Sequence, residues 1–167
     1  FNLDIQKYIV TDFEGMRNLV DILDGIELEI TNAESRSIRG ISGSGTYNLD
    51  GNQALDYARI RKIDSDFSRV QRQRNVILAM LDEFMSKPPQ RQLNAVDKSL
   101  QYVRSNIAAS KITGDLLDLV RASSSEIKQM TVPEWGYYSV NDGSIWYMSL
   151  DWDGQNRSLH NFLYQRD

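Results

Sequence analysis

The sequence predicts an α/β layered fold. Three observations point there: a β-α-β order within the first thirty residues, helical and strand-like segments interleaved, and no internal repeat or linker. The 167 residues suit one domain, 1–167, with enough bulk to bury a core. Apolar residues make up 41% and charged residues 25%, which excludes a disordered polar chain. With no cysteine, a disulfide scaffold, a thiolate zinc site and a cysteine nucleophile are excluded. A single histidine excludes any multi-histidine metal site. The longest apolar runs, such as Ile77 to Met80, are far short of the roughly 20 residues that span a bilayer. The chain opens at Phe1 on strand-like sequence, which predicts a processed product or an excised fragment.

Element by element, Asn2 to Val10 is expected as a strand. Asp12 caps a helix over Glu14 to Leu23, whose Met16, Leu19, Val20 and Leu23 share one stripe, and Gly25 ends it. Ile26 to Ile30 alternates apolar and acidic residues as a strand does. Thr31 to Tyr47, polar and holding Gly40, Gly43 and Gly45, is expected as a loop or short excursion. Asp50 opens the next helix, with Gln53 three residues on as a capping-box partner. Further helices are predicted over Ser68 to Ser86, Gln90 to Ser105, Thr113 to Ala122 and Asn156 to Tyr164. Strands are predicted over Glu126 to Val132 and Ser144 to Leu150.

Charge is distributed unevenly. Arg59 to Arg74 holds six basic residues (Arg59, Arg61, Lys62, Arg69, Arg72, Arg74) and two acids (Asp64, Asp66), in a chain of net charge −4. Five of the six are arginine, whose planar fork matches phosphate oxygens in pairs. Arg59 and Arg61 share a face only if the chain is extended there, so the helix from Asp50 should give way near Tyr57 or Ala58. On the following helix, Ile77, Met80, Leu81 and Phe84 are taken as the buried face. Gln73 then lies about 40° from its centre, Arg74 about 60° and Arg69 about 80°, while Arg72, at about 140°, is expected in solvent. Polar groups on the inward side need a partner, and a pyrophosphate held by two arginine-bearing segments would supply one. Ordinary surface cations paired with Asp64 and Asp66 remain the plain alternative. His160 is expected to be structural. The cluster Trp135, Tyr137, Tyr138, Trp146, Tyr147 and Trp152 is expected as strand core and edge packing.

The stretch LDGNQALDYARIRKIDSDFSRVQRQR, Leu49 to Arg74, resembles the LytR–CpsA–Psr family. The opening strand and helix, the Ile26 to Ile30 strand and the closing Gly136 to Leu163 segment are similar as well, so the likeness covers nearly the whole chain. It implies the C-terminal part of a layered α-β-α sandwich with a central mixed sheet, incomplete at its N-terminal side. It also implies a membrane-anchored enzyme at the outer face of the cell membrane. Such an enzyme transfers teichoic acid or capsular polysaccharide from a polyprenyl-pyrophosphate carrier to peptidoglycan. The resemblance puts Arg59, Arg61 and Arg69 on the pyrophosphate, with Gln73 beside them and Asp64 at the acidic position near Asp66. Arg59, Arg61 and Asp64 are the candidate catalytic residues. Arg69, Gln73, Arg74 and Asp66 complete the candidate substrate-binding set. A magnesium ion is implied for the parent protein, with ligands outside this chain. The membrane partner is implied through an upstream segment. A non-catalytic module binding anionic polymer or polyprenyl phosphate is the alternative. A nucleic-acid role is disfavoured by the net charge and the lack of a recognition-helix pattern.

Overall fold

The computed structural model describes residues 1–61, 63, 65–121, 128–141 and 143–164; the side chains of residues 66, 116, 117 and 119–121 are not described. These residues form two compact units, one of Gln6–Ala122 and one of Phe1–Ile5 with Ser123–Asp167.

In the larger unit, β1 (Ile9–Val10) is followed by α1 (Phe13–Ile22), β2 (Ile26–Ile30), α2 (Asn32–Ser35), β3 (Gly45–Leu49) and α3 (Gly51–Ala58). Then come α4 (Asp66–Ser86), α5 (Pro89–Ser99), a 3₁₀ turn at Leu100–Tyr102, β4 (Arg104–Ser105) and α6 (Ala109–Arg121). The caps fall where the residue types demand. Asp12 accepts from the Gly15 N–H, and Asp50 and Gln53 complete a reciprocal capping box. After Leu23 the chain turns back through Asp24 (φ 65°) and Gly25 (φ 101°), a left-handed path that admits β2 at once.

β2 pairs antiparallel with β3 in the register Ile26↔Leu49 to Ile30↔Gly45. Ile26, Ile30 and Leu49 point into a core shared with Val20 of α1, Ala54 and Tyr57 of α3, and Val76 and Ala79 of α4. Each such fully buried aliphatic side chain contributes about 1.5–3 kcal/mol. α1 and α3 approach closely at Gly51. A Cβ there would stand 2.2 Å from the Arg17 carbonyl oxygen, and the Gly51 N–H donates to Asp21 at 2.7 Å. A smaller apolar cluster joins Leu23, Phe84, Ala95 and Val96.

In the second unit, β5 (Tyr138–Asn141) and β6 (Tyr147–Leu150) form a hairpin, followed by α7 (Trp152–Tyr164). Gln155 is fully buried there and accepts from the Glu134 N–H. The His160 Nε2 lies 2.9 Å from the Phe1 carbonyl oxygen, a structural contact as expected.

The α/β class holds, with the described strands paired two by two into three antiparallel ladders. Several expectations change. The strand over Asn2 to Val10 shortens to Ile9–Val10, because only these residues find ladder partners, Ser105 and Arg104. The segment Thr31 to Tyr47 holds α2, closed by a Thr31–Glu34 capping box, and the start of β3. The helix over Gln90 to Ser105 stops at Ser99. Of the strand over Glu126 to Val132, residues 128–132 are not in a strand and the rest lie outside the described residues. The tryptophans are also not core. Trp135 is 86% exposed, and Trp146 and Trp152 are exposed as well.

Candidate functional site: an arginine cavity beside an apolar one

The end of α3 is fastened from three sides, and that fastening aims Arg59 and Arg61. Arg39 grips Asp56 with two guanidinium nitrogens, at 2.6 and 2.9 Å, and with its backbone N–H at 3.3 Å. That hydrogen bond, with the charges of Arg39 and Arg59, holds the Asp56 carboxyl below its ordinary range; the same bond and the Asp56 charge raise Arg39 above its own. The Tyr57 hydroxyl accepts from Asn75 of α4 at 3.0 Å, and burial pushes that phenol up. Ile60 is buried in the core. The helix ends at Ala58 with Arg59 as its C-cap, as the two-residue spacing of the arginines required.

Arg59 and Arg61 then meet Arg69 and Gln73 of α4 in one cavity of about 330 Å³. Phe13, at the start of α1, forms the remaining wall and lies under the Arg59 guanidinium, 5.1 Å from ring centroid to Cζ. Three guanidinium groups around one hollow make a site for an anion with several oxygens. The described lining presents no carboxylate. Among the described residues, no group of three or more His, Asp or Glu side chains could hold a metal.

A second cavity, of about 380 Å³, is almost wholly apolar. Ile77, Met80, Leu81 and Phe84 of α4 line one wall, and Leu19, Val96 and Leu100 are among the residues opposite. α4 therefore carries one continuous stripe, Arg69, Gln73, Ile77, Met80, Leu81 and Phe84, about 22 Å long, charged at its N-terminal end and apolar beyond.

The family model for LytR_cpsA_psr matches residues 1–160. The chain belongs to the LytR–CpsA–Psr family. It is 29% identical over 160 residues to the polyisoprenyl-teichoic acid–peptidoglycan teichoic acid transferase TagU of Oceanobacillus iheyensis, covering 94% of this chain and 48% of that protein. The chain spans about half the length of the curated relatives it matches. Among solved structures, protein gbs0355 of Streptococcus agalactiae superposes with a TM-score of 0.72 at 22% identity, covering 99% of this chain and 60% of that one. TagT bound to LIIa-WTA gives 0.69 at 24% identity, covering 97% and 63%. At these identities the structural likeness shows the fold.

In this LytR–CpsA–Psr chain, the structure gathers Arg59, Arg61, Arg69 and Gln73 and leaves Arg74 out of the lining. Arg74 lies about 140° around α4 from Arg69, and its Nη1 donates to Gln71 at 3.3 Å. Asp64 and the Asp66 side chain lie outside the described residues. Arg72 reverses its expected place. Assigned to solvent, it is 2% exposed, because α4 turns Arg72, Val76 and Ala79 toward the core. Of the face taken as buried, Phe84 is buried and Met80 and Leu81 are half-buried, while Ile77 is 64% exposed; all four line the apolar cavity. Phe13 was missed, since no local pattern connects it with arginines some 46 residues away. No helix among the described residues is long and apolar enough to cross a membrane.

Proposed function

We propose that this chain carries the carrier-binding part of a cell-envelope phosphotransferase. It moves a glycopolymer of teichoic acid or capsular type from a polyprenyl-pyrophosphate carrier to peptidoglycan. The observation that supports this most is the α4 stripe, where an arginine cavity and an apolar cavity follow one another along a single helix. A polyprenyl pyrophosphate has the same polarity order, a dianionic head joined to a long hydrocarbon tail. The family membership and the TagU likeness agree with this reading.

Arg59, Arg61 and Arg69 bind the pyrophosphate oxygens, and Gln73 donates its amide beside them. A peptidoglycan sugar hydroxyl attacks the phosphorus nearer the glycan. The new P–O bond forms as the P–O bond to polyprenyl phosphate breaks, and the hydroxyl gives up its proton. The guanidinium groups stabilise the charge spread over the transferring phosphoryl group, which is where such catalysis mostly lies. Asp64 or Asp66 orients an arginine or takes the proton. A magnesium ion, when bound to the parent protein, would neutralise phosphate charge, held by ligands outside this chain. The reaction takes place at the outer face of the cell membrane, with an upstream segment as anchor.

Titrating the full-length protein with a short-chain polyprenyl-pyrophosphate analogue tests the assignment. Replacing Arg59 and Arg61 together by Ala should weaken binding about a hundredfold or more, since each charge-assisted contact is worth about 1.5–3 kcal/mol. Unchanged binding would overturn it. Turnover with magnesium and peptidoglycan separates an enzyme from a module that only holds the carrier.

A further inference from the structure

One arginine of the motif faces away from the cavity, and its contacts give it a separate task. The Arg72 Nε donates to Glu34 Oε1 at 3.0 Å, and its Nη1 donates to the Ile60 carbonyl at 2.9 Å. Both side chains are well covered, Arg72 more than Glu34. The second oxygen of Glu34 accepts from the Thr31 N–H at 3.0 Å and from its hydroxyl at 2.8 Å. The carboxylate is thereby fixed by the capping box of α2, and it fixes the guanidinium in turn. Ile60 is the residue between Arg59 and Arg61. Its side chain sits in the core, and its carbonyl is held by Arg72. A residue anchored at both side chain and carbonyl leaves little freedom in the directions its two neighbours take.

Resting on the pyrophosphate assignment above, we propose that Arg72, locked by Glu34, is a positioning residue. It sets the 59–61 segment so that Arg59 and Arg61 reach one diphosphate together. The chemistry demands arginine. A planar fork can bond a carboxylate and a carbonyl at once in fixed geometry, whereas a lysine ammonium is a single point on a flexible stem. A buried ion pair is a poor source of stability compared with apolar packing, so its retention here is explained by geometry. Only a diphosphate needs both arginines at a set spacing. A monophosphate can be met by either one.

The test is calorimetric titration of the full-length protein with inorganic pyrophosphate and, separately, inorganic phosphate. The wild type should prefer pyrophosphate. R72K should keep its circular dichroism and a cooperative unfolding transition, yet lose about tenfold or more in pyrophosphate affinity while phosphate affinity barely moves. In an R59A/R61A background, R72K should change nothing further. A purely structural role would lower the number of competent sites and leave the preference intact, and that result would overturn the proposal. Should R72K fail to fold, E34Q carries the same comparison, with a smaller narrowing of the preference expected and an unchanged preference counting against it. A wild type that binds neither anion overturns the cavity assignment and this proposal with it. A wild type that prefers pyrophosphate beside an R72K that prefers it equally overturns the positioning role alone.

Discussion

The two faces of α4 invert what their side chains suggest. The face in the core carries Arg72, Val76 and Ala79. The face that lines the cavities carries Ile77, Met80, Leu81 and Phe84 after Arg69 and Gln73. The stripes are about 100° apart, one residue's turn of the helix. The stripe with a cation packs against β2 and α3, and the greasier one borders the two hollows, with Ile77 exposed and Phe84 packed on Leu23, Ala95 and Val96. Apolar periodicity therefore marks a helix face that has a partner, without saying whether that partner is protein or ligand.

The largest effect that bears on this contrast is on stability. R72A leaves the Glu34 carboxylate covered and without its cation, and should cost about 3–5 kcal/mol in denaturant unfolding. A loss under about 1 kcal/mol would break the contrast from the core side. Next, V76A should cost about 2 kcal/mol, from two methyl groups and the space they leave. I77A removes more carbon from the neighbouring position yet should stay within about 0.5 kcal/mol. Equal losses would mean that Ile77 is packed after all. Third, I77D should leave the unfolding midpoint nearly unchanged and weaken a long-chain polyprenyl pyrophosphate about tenfold, with inorganic pyrophosphate unaffected. Parallel loss of both ligands would deny the apolar cavity its role.

The smallest effect is acid sensitivity at the clamp behind Arg59. The Asp56 carboxyl is held down by Arg39, so its contribution to stability is present above the unfolded-state value of about 3.9. It is lost as pH falls through the lower folded-state value. D56N should flatten that acid limb of the stability curve and leave the neutral-pH order of V76A and I77A as it was. An acid limb identical to the wild type would remove Asp56 from the clamp.

Much of this was legible beforehand where the signal was local. Asp12 and the Asp50–Gln53 pair capped their helices as their side chains require, and β2 began and ended at Ile26 and Ile30. The end of α3 at Ala58 followed from the spacing of the arginines, and α4 ends at Ser86 as expected but begins at Asp66, two residues ahead of Ser68. Legibility failed where a partner came from elsewhere. β3 sits in a glycine-rich stretch and is a strand because β2 offers it a ladder. The Asn2 to Val10 strand shrank because its ladder is two residues long. Phe13 joins the site only because the start of α1 lies beside the C-cap of α3.

The order of residues along the chain determined by itself the helix period, the caps and the concentration of arginine between residues 59 and 74. These are set by neighbours within about one helical turn. Which arginines line the cavity and which one enters the core was decided only by tertiary structure. Glu34 stands 38 residues before Arg72, and its carboxylate is available there because a short helix after β2 holds it. A buried cation takes its place from the counter-charge that meets it, and no periodicity within α4 encodes where that charge will be.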